Sequence, residues 1–342
     1  MAKLKVAING AGRIGRAFCK MAHKREGLDI VAINDLGSIE SVAYLLKYDT
    51  AYGISDLSVS VNKDKTAIII DGKEVKYLSE KDPNNLPWKA LDVDVVVEST
   101  GLFTTYEKAR AHINAGAKKV VITAPVKGDS KDETEATVLL GINEEKLKTC
   151  VISSNASCTT NAGSPLMAIL HENIGIEKAI LNTVHAYTAS QSIVDGINKK
   201  DLREGRAAAQ NIVPSSTGAA IAVTKALPDL LGKFDGISMR VPVVVGSIVD
   251  VTFIAKRNTS SEEVNEILQK AAQDPRWKNI FTVTDEPIVS SDIRGNIYAS
   301  IADLSFTRVV DGNLVKVLAW YDNEMGYTYT LVEHVIKTGQ YL

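Results

Sequence analysis

Cysteine is scarce in this chain, with Cys19, Cys150 and Cys158 the only three among 342 residues. An odd count at wide spacing excludes a disulfide framework and a cysteine metal cluster, and it fits reduced thiols in a cytoplasmic setting. Nine prolines and 23 glycines are too few for a collagen-like chain. Positive charge is not in excess: Lys plus Arg total 39 against 41 Asp plus Glu, a net charge of −2. No global field therefore holds a polyanion, and with 6% aromatic residues and no basic stripe interleaved with them, nucleic acid is not an expected partner. Long apolar runs are missing too. The longest uncharged stretches, such as 207–224, are broken by Gln, Asn, Pro, Ser and Thr and fall short of the ~20 apolar residues of a membrane span. The opening Met1-Ala2-Lys3-Leu4-Lys5 leads straight into a strand-like run, without the apolar core of a signal peptide.

What is present is an ordinary globular balance, 45% apolar and 23% charged, over a length that exceeds the roughly 250–300 residues of a single core. Two domains are expected. The first third alternates short β-branched runs with helix-period segments, the signature of a parallel sheet covered by helices. The runs 4–8, 29–33, 93–97, 120–122 and 151–153 read as strands, and 13–23, 38–47 and 105–115 as helices. Ile14, Phe18 and Met21 face inward on the first helix, and Val42, Leu45 and Leu46 on the second. Between 59 and 78, Asp71-Gly72 joins two β runs as a type I′ turn, an antiparallel insertion. Beyond Asn155 the runs lengthen, and 178–184, 237–241, 248–255 and 314–320 read as strands of one larger sheet. Thr259-Ser260-Ser261-Glu262 reads as a capping box, and the segment from Asp322 onward as a helix returning to the first domain.

Gly10-Ala11-Gly12-Arg13-Ile14-Gly15 is a G-x-G-x-x-G run directly after a strand and opening a helix. Its glycines permit a tight turn and close approach of backbone to a pyrophosphate at the helix N-terminus. Asp35, twenty residues past Gly15 at the end of the second strand, supplies the carboxylate that accepts both ribose hydroxyls of an adenosine and repels a 2′-phosphate, so NAD is favoured over NADP. Ser99-Thr100-Gly101 and Thr123 follow later strands at the same edge, where ligands of open α/β sheets collect.

Cys158 lies in the polar run 153–161, between a buried strand and an apolar helix at 165–170. A thiol at a helix N-terminus is shifted toward thiolate by the dipole and free backbone N–H groups, which makes Cys158 the candidate nucleophile. Cys19 and Cys150 read as packed core thiols. His185 follows an apolar strand and is the candidate base, with a satisfied interior histidine as the competing reading. His23, His112, His171 and His334 sit among charged residues on helix-like segments and are expected at the surface.

Ser157-Cys158-Thr159-Thr160-Asn161, the His185 segment, the run 206–220, Arg240-Val241-Pro242 and Trp320-Tyr321-Asp322-Asn323-Glu324 together resemble phosphorylating glyceraldehyde-3-phosphate dehydrogenase over essentially the whole chain. The resemblance implies an α/β protein: a Rossmann-type doubly wound parallel sheet at 1–157, an α+β catalytic domain with a mostly antiparallel sheet at 158–321, and a C-terminal helix at 322–342 that returns to the NAD-binding domain. It implies oxidation of D-glyceraldehyde 3-phosphate with NAD and inorganic phosphate to 1,3-bisphosphoglycerate, through a hemithioacetal and thioester on Cys158, with His185 exchanging the proton. Asn9, Gly10, Gly12, Arg13, Ile14, Asp35, Ser99, Thr100, Gly101 and Thr123 would bind the cofactor, with Asn323 on the nicotinamide carboxamide and Tyr327 near the ring. Thr188 and Arg240 would hold the substrate phosphate, Ser157, Thr159, Thr217 and Gly218 the attacking phosphate, and Arg206 would also be a substrate-binding residue. No metal is implied, and a cytoplasmic homotetramer is, with the loop 188–214 packing against a neighbouring subunit.

Several positions depart from the family pattern. Ala11 replaces a frequent aromatic, and Ala162 a frequent second cysteine, which excludes a Cys-x-x-x-Cys bridge. Val243-Val244-Val245-Gly246 stands for Thr-Pro-Asn-Val, Ile197 for a proline that accompanies strict NAD preference, and Met325 for a tryptophan. The alternatives are a sister enzyme acting on erythrose 4-phosphate, disfavoured by Thr188 and the run 214–218, and a non-enzymatic binding protein of the same fold, disfavoured because every reacting group survives.

Overall fold

Consecutive valines and isoleucines between glycine turns make strands that bury both faces, and such strands need helices on either side. The structure, a computed structural model, describes residues 3–199 and 201–342. Its chain divides into two units, one built from the residues up to Val138 with Asn143–Ala156 and Thr328–Leu342, the other from Leu139–Ile142 and Ser157–Tyr327.

The first unit runs β1 (Leu4–Asn9), α1 (Arg13–His23), β2 (Leu28–Asn34), α2 (Ile39–Lys47), a short pair β3 (Tyr48–Asp49) and β4 (Gly53–Ile54), then β5 (Val59–Val61), β6 (Ala67–Ile70) and β7 (Lys73–Leu78). It continues with β8 (Val95–Glu98), α3 (Tyr106–Asn114), β9 (Lys119–Ile122), β10 (Glu135–Thr137) and β11 (Ile152–Ser154). One sheet takes the order β10-β11-β9-β8-β1-β2-β7-β6-β5, parallel from β10 through β7 and antiparallel only at β6 and β5. This is the doubly wound sheet expected, with the strand order reversing direction about β1. Asp71 (φ 48°) and Gly72 (φ 80°) both take the left-handed conformation that a type I′ turn requires between β6 and β7.

The inward faces of two helices differ from expectation. α1 buries Gly15, Phe18, Cys19 and Ala22 rather than Ile14 and Met21, which are only half-buried, and α2 turns Leu45 outward while Ile39, Val42 and Leu46 face in. Small residues on α1 let it lie close to the sheet, and that choice rotates its face.

Two histidines assigned to the surface are instead fully buried. Trp88 Nε1–H donates to His112 Nδ1 at 3.0 Å, so the imidazole hydrogen sits on Nε2 and is donated to Glu98 Oε2 at 2.9 Å. Asn9 Nδ2 donates to the same carboxylate oxygen at 2.6 Å, and the Thr100 amide donates to Oε1 at 2.9 Å. His334 is held between Ser153 Oγ at 2.8 Å and Asn155 Oδ1 at 3.1 Å. Charged neighbours in the sequence belong to the outer faces of the same helices, which is why composition alone misplaced both side chains.

The second unit runs α4 (Cys158–Asn173), β12 (Ile176–Ala186), β13 (Val213–Ser216), α5 (Ala219–Ala226), β14 (Phe234–Val241), β15 (Ser247–Ala255), α6 (Ser261–Ala272), β16 (Phe281–Thr284), β17 (Ser300–Val310) and β18 (Leu314–Tyr321), and α7 (Met325–Gly339) carries the chain back into the first unit. Its sheet, β13-β14-β12-β15-β18-β17-β16, is antiparallel except at β12–β14 and β16–β17. Alternation along β15 buries every second residue, and Leu166, Leu181, Val251, Phe253 and Val317 share one core with α4, α5 and α6. Two boundaries move. β12 extends to Ala186, so His185 lies inside the strand, and the cap of α6 is Ser260, whose Oγ accepts from the Glu263 amide at 3.2 Å.

Burial holds the His334 imidazole down from 6.5 to about 3. Between those pH values the unfolded chain takes up a proton that the folded chain does not, so stability falls as pH falls, by up to about 1.4 kcal/mol per pH unit for this group. Urea unfolding at pH 7 and pH 5 is expected to show a smaller pH dependence for His334→Gln than for the parent chain; equal dependence would contradict a buried neutral imidazole.

Candidate active site

In the second unit, Ser157 caps α4 by accepting the Thr160 amide at 3.1 Å, and this places Cys158 as the first helical residue. The helix therefore begins seven residues earlier than its apolar run suggested, with Pro165 inside it. β12 brings His185 to the thiol, with Nε2 3.3 Å from Cys158 Sγ. β14 lies parallel to β12 with Arg240 in register with His185, which sets the guanidinium Nη1 2.6 Å from Nδ1. The Ala186 carbonyl is also 2.6 Å from Nδ1. Nδ1 cannot donate to the carbonyl and accept from the guanidinium at once. With Nδ1–H on Ala186, Nε2 presents a lone pair to the sulfur and acts as a base; with Nδ1 accepting from Arg240, Nε2 carries the hydrogen and acts as a donor.

Burial pushes the Cys158 thiol up, opposed by the Arg240 charge, by Thr159 and by the helix amides. The expected shift toward thiolate is thus outweighed by desolvation, and Nε2, 3.3 Å away, is the group placed to take the thiol proton. Burial, with Arg240 adding to it, holds His185 down from 6.5 to about 3, so the imidazole is neutral. Cys19 and Cys150 are buried and pushed up to about 12 and about 11, as suits inert core thiols.

Thr159 Oγ1 bonds the Tyr321 hydroxyl at 2.9 Å, which also meets Thr183 Oγ1 at 2.8 Å, and the Tyr321 ring lies edge-on to His185 at 5.9 Å. In the sequence Tyr321 stands only within a motif; the alternation of β18, which buries Val317, Ala319 and Tyr321, is the signal that marks it. Thr188 closes a short turn with Gln191 and Ser190. Arg206 pairs with Asp195 at 2.9 Å in solvent, with no contact to the thiol cluster. Thr217 and Gly218 sit at the start of α5, and space is open around Gly218 where a side chain would stand. Asn323 is buried, with Oδ1 accepting from the Gly246 amide and the Ser247 hydroxyl, both at 3.0 Å; Tyr327 is also buried. Arg240 Nε is buried with no partner, a donor suited to an anion.

In the first unit the predicted cofactor residues gather at the carboxyl ends of β1, β2, β8 and β9. Asp35 Oδ2 accepts from the Ala11 amide at 2.7 Å and Oδ1 from the Gly37 amide at 2.8 Å, which ties the second strand's end to the glycine loop. A side chain at Gly10 would strike the Ser99–Thr100 backbone at 2.8 Å, and one at Gly15 the Gly10 carbonyl at 2.0 Å, so the loop packs only with glycine there. Gly12 caps α1 with no side chain and faces open space, leaving the first-turn amides of α1 to a pyrophosphate. These residues fit a dinucleotide. Ile14 follows in the first turn of α1, Thr123 follows β9, and Gly101 (φ 71°) turns the chain after Thr100. Arg13 turns to Asp49, in a bidentate pair at 3.0 and 3.2 Å, with its guanidinium over Tyr52.

Two family models match the chain. Residues 4–106 match the family model described as glyceraldehyde 3-phosphate dehydrogenase, NAD binding domain, and residues 157–323 that of the C-terminal domain. The chain is 48% identical over 337 residues to a glyceraldehyde-3-phosphate dehydrogenase of Borreliella burgdorferi, covering 96% of this chain and 98% of that one. It is 46% identical over 342 residues to the enzyme of that name from Streptomyces coelicolor (99% of each), and 45% over 332 residues to that of Geobacillus stearothermophilus (96% of each).

His185→Asn removes the imidazole beside the sulfur and leaves the thiol in place. Alkylation of Cys158 by iodoacetamide at pH 7, located by peptide mass, is expected to slow by roughly 10- to 100-fold; an unchanged rate would show that Nε2 plays no part in activating the sulfur.

Proposed function

The chain belongs to the glyceraldehyde-3-phosphate dehydrogenase family, and from that premise we propose that it oxidises D-glyceraldehyde 3-phosphate with NAD and inorganic phosphate, with Cys158 as nucleophile and His185 as proton carrier. The observation that carries this reading is the 3.3 Å contact between Sγ and Nε2 at the start of α4. NAD, when bound, supplies the hydride acceptor.

The thiol proton moves to Nε2, and the thiolate adds to the aldehyde carbon. Nε2 returns the proton to the resulting oxyanion, which gives a hemithioacetal on Cys158. Nε2 then accepts the hydroxyl proton as the carbon gives up its hydride, and a thioester remains. Attack by a phosphate oxygen on the thioester carbonyl breaks the C–S bond, frees the Cys158 sulfur and yields the acyl phosphate 1,3-bisphosphoglycerate. Arg240 is the residue for the substrate phosphate, supported by its unpartnered buried Nε. An anion there offsets the positive charge that helps to hold His185 down, so substrate binding raises the basicity of the imidazole. Thr188 assists at the same phosphate in this reading, and Arg206, which pairs with Asp195, belongs to the wider substrate-binding set. Thr217 and Gly218, at the N-terminus of α5, with Ser157 and Thr159, receive the attacking phosphate. Asn323 holds the nicotinamide carboxamide and Tyr327 packs by the ring, while Asp35 reads the adenosine ribose.

The apolar side chains left in solvent around the 188–214 loop, Ile193 (84%), Ile197 (96%) and Leu202 (83%), support assembly with further copies of the chain, as a homotetramer. Three free cysteines suit a reducing cytoplasm. No described helix is long and apolar enough to cross a membrane.

NADH formation is expected with triose phosphate and NAD only when inorganic phosphate is also present. With NADP, kcat/KM falls by about tenfold or more, because Asp35 faces the added phosphate; Asp35→Ala narrows that gap. Turnover indifferent to inorganic phosphate, or faster with erythrose 4-phosphate, would replace this reading. Light scattering is expected to give four times the 36.9 kDa chain mass, and a monomer would refute the assembly.

A further inference from the structure

The end of the second unit's sheet carries a hydroxyl that no step above uses. Ser247 opens β15 and is buried, with only 2% of its surface exposed. Its Oγ accepts the amide of Ala186, the residue after the His185 base, at 3.1 Å and donates to Asn323 Oδ1 at 3.0 Å. One hydroxyl therefore spends its acceptor on the strand that carries the imidazole and its single proton on the side-chain amide of Asn323.

We infer that Ser247 is a positioning residue that fixes the Asn323 side chain in one of its two amide orientations, with oxygen inward and Nδ2 outward as a donor to a carboxamide oxygen.

The hydrogen-bond inventory supports a single orientation. Asn323 Oδ1 receives two donors, the Ser247 hydroxyl and the Gly246 amide, each at 3.0 Å. A flipped amide would set its NH₂ against the Gly246 N–H, donor against donor, and would leave the Oδ1 position empty of acceptors. Nδ2 has no acceptor among the described residues, although Asn323 is only 6% exposed. The Nδ2 hydrogens are thus left to donate to a ligand acceptor. Backbone geometry holds the corner in place. Gly246 adopts φ 95°, and a side chain there would lie 2.4 Å from the Ser290 carbonyl, so the chain can turn into Ser247 at this point only with glycine. The Val243-Val244-Val245-Gly246 departure from the family pattern, which removes side-chain polar groups, leaves the backbone amide of Gly246 and the hydroxyl of Ser247 as the two groups that define Asn323. On β18, the strand paired with β15, Ser247 stands opposite Tyr321, which bonds Thr159 and Thr183 and so belongs to the same row of side chains as the thiol and imidazole.

This inference rests on the assignment of Asn323 to the nicotinamide carboxamide, and the test separates the two. Equilibrium binding of NAD and of ADP-ribose, which lacks the nicotinamide, is measured by titration calorimetry for the parent chain, Asn323→Ala, Ser247→Ala, Ser247→Cys and the double variant Ser247→Ala/Asn323→Ala. Ser247→Ala is expected to weaken NAD by about 5- to 20-fold, as suits one lost buried hydrogen bond and a loosened amide. Ser247→Cys falls between, ADP-ribose is unchanged throughout, and the double variant binds NAD no more weakly than Asn323→Ala alone. If Asn323→Ala binds NAD as the parent does, the assignment of Asn323 fails and the inference with it. If Asn323→Ala loses affinity while Ser247→Ala does not, the assignment stands and the inference fails. A parallel loss of NAD and ADP-ribose affinity in both Ser247 variants would reduce Ser247 to a general structural role and also overturn it.

Discussion

The contact between Cys158 Sγ and His185 Nε2 is the interaction on which the rest of the second unit converges. Its two atoms come from elements of different kind, the first residue of a capped helix and the penultimate residue of a strand, and neither can be moved without disturbing a larger assembly. Ser157 fixes where α4 starts. The strand neighbours of β12 fix the imidazole: Arg240 is in register with His185 on one side, and Ser247 bonds the Ala186 amide on the other. Tyr321, opposite Ser247 on β18, closes the row. A sheet holds such a row more firmly than loops would, since each side chain inherits its position from ladder hydrogen bonds on both flanks.

The first unit solves a different problem, that of presenting backbone amides to a charged ligand without filling the space they face. Gly12 leaves the α1 N-terminus open, whereas Gly10 and Gly15 are required by close packing within the loop itself. Beneath the loop a buried carboxylate, Glu98, gathers donors from His112, Asn9 and Thr100. Removing one donor leaves part of this buried group unsatisfied, at a cost of roughly 1–3 kcal/mol. The network therefore ties the ends of β1 and β8 together where the glycine loop begins.

Much of this was legible in the chain itself. The parallel sheet, the glycine loop with Asp35, and the Cys158 and His185 segments that the fold brings together are marked by local signals: β-branched runs, fixed glycine spacing, and polar residues at strand ends. What escaped was set by facing rather than by composition. His112 and His334 looked like surface residues because their sequence neighbours are charged, yet helical periodicity turns those neighbours outward and the imidazoles inward. Tyr321 and Ser247 gave no local signal of function; only strand pairing between β15, β18 and β12 reveals what they touch. The direction of the Cys158 shift was likewise beyond the sequence, since a helix N-terminus can be read from residues but the burial that opposes it cannot.

The central claim is that the sulfur of Cys158 carries the substrate's carbon between oxidation and transfer to phosphate. Its most direct test is to mix the protein with triose phosphate and NAD in phosphate-free buffer, quench in acid and locate the covalent adduct by peptide mass spectrometry. A hydroxylamine-labile acyl group on the peptide containing Cys158, discharged when inorganic phosphate is added before the quench, is the predicted result. An adduct on Cys19 or Cys150, or stoichiometric NADH formation with no adduct at all, would contradict it.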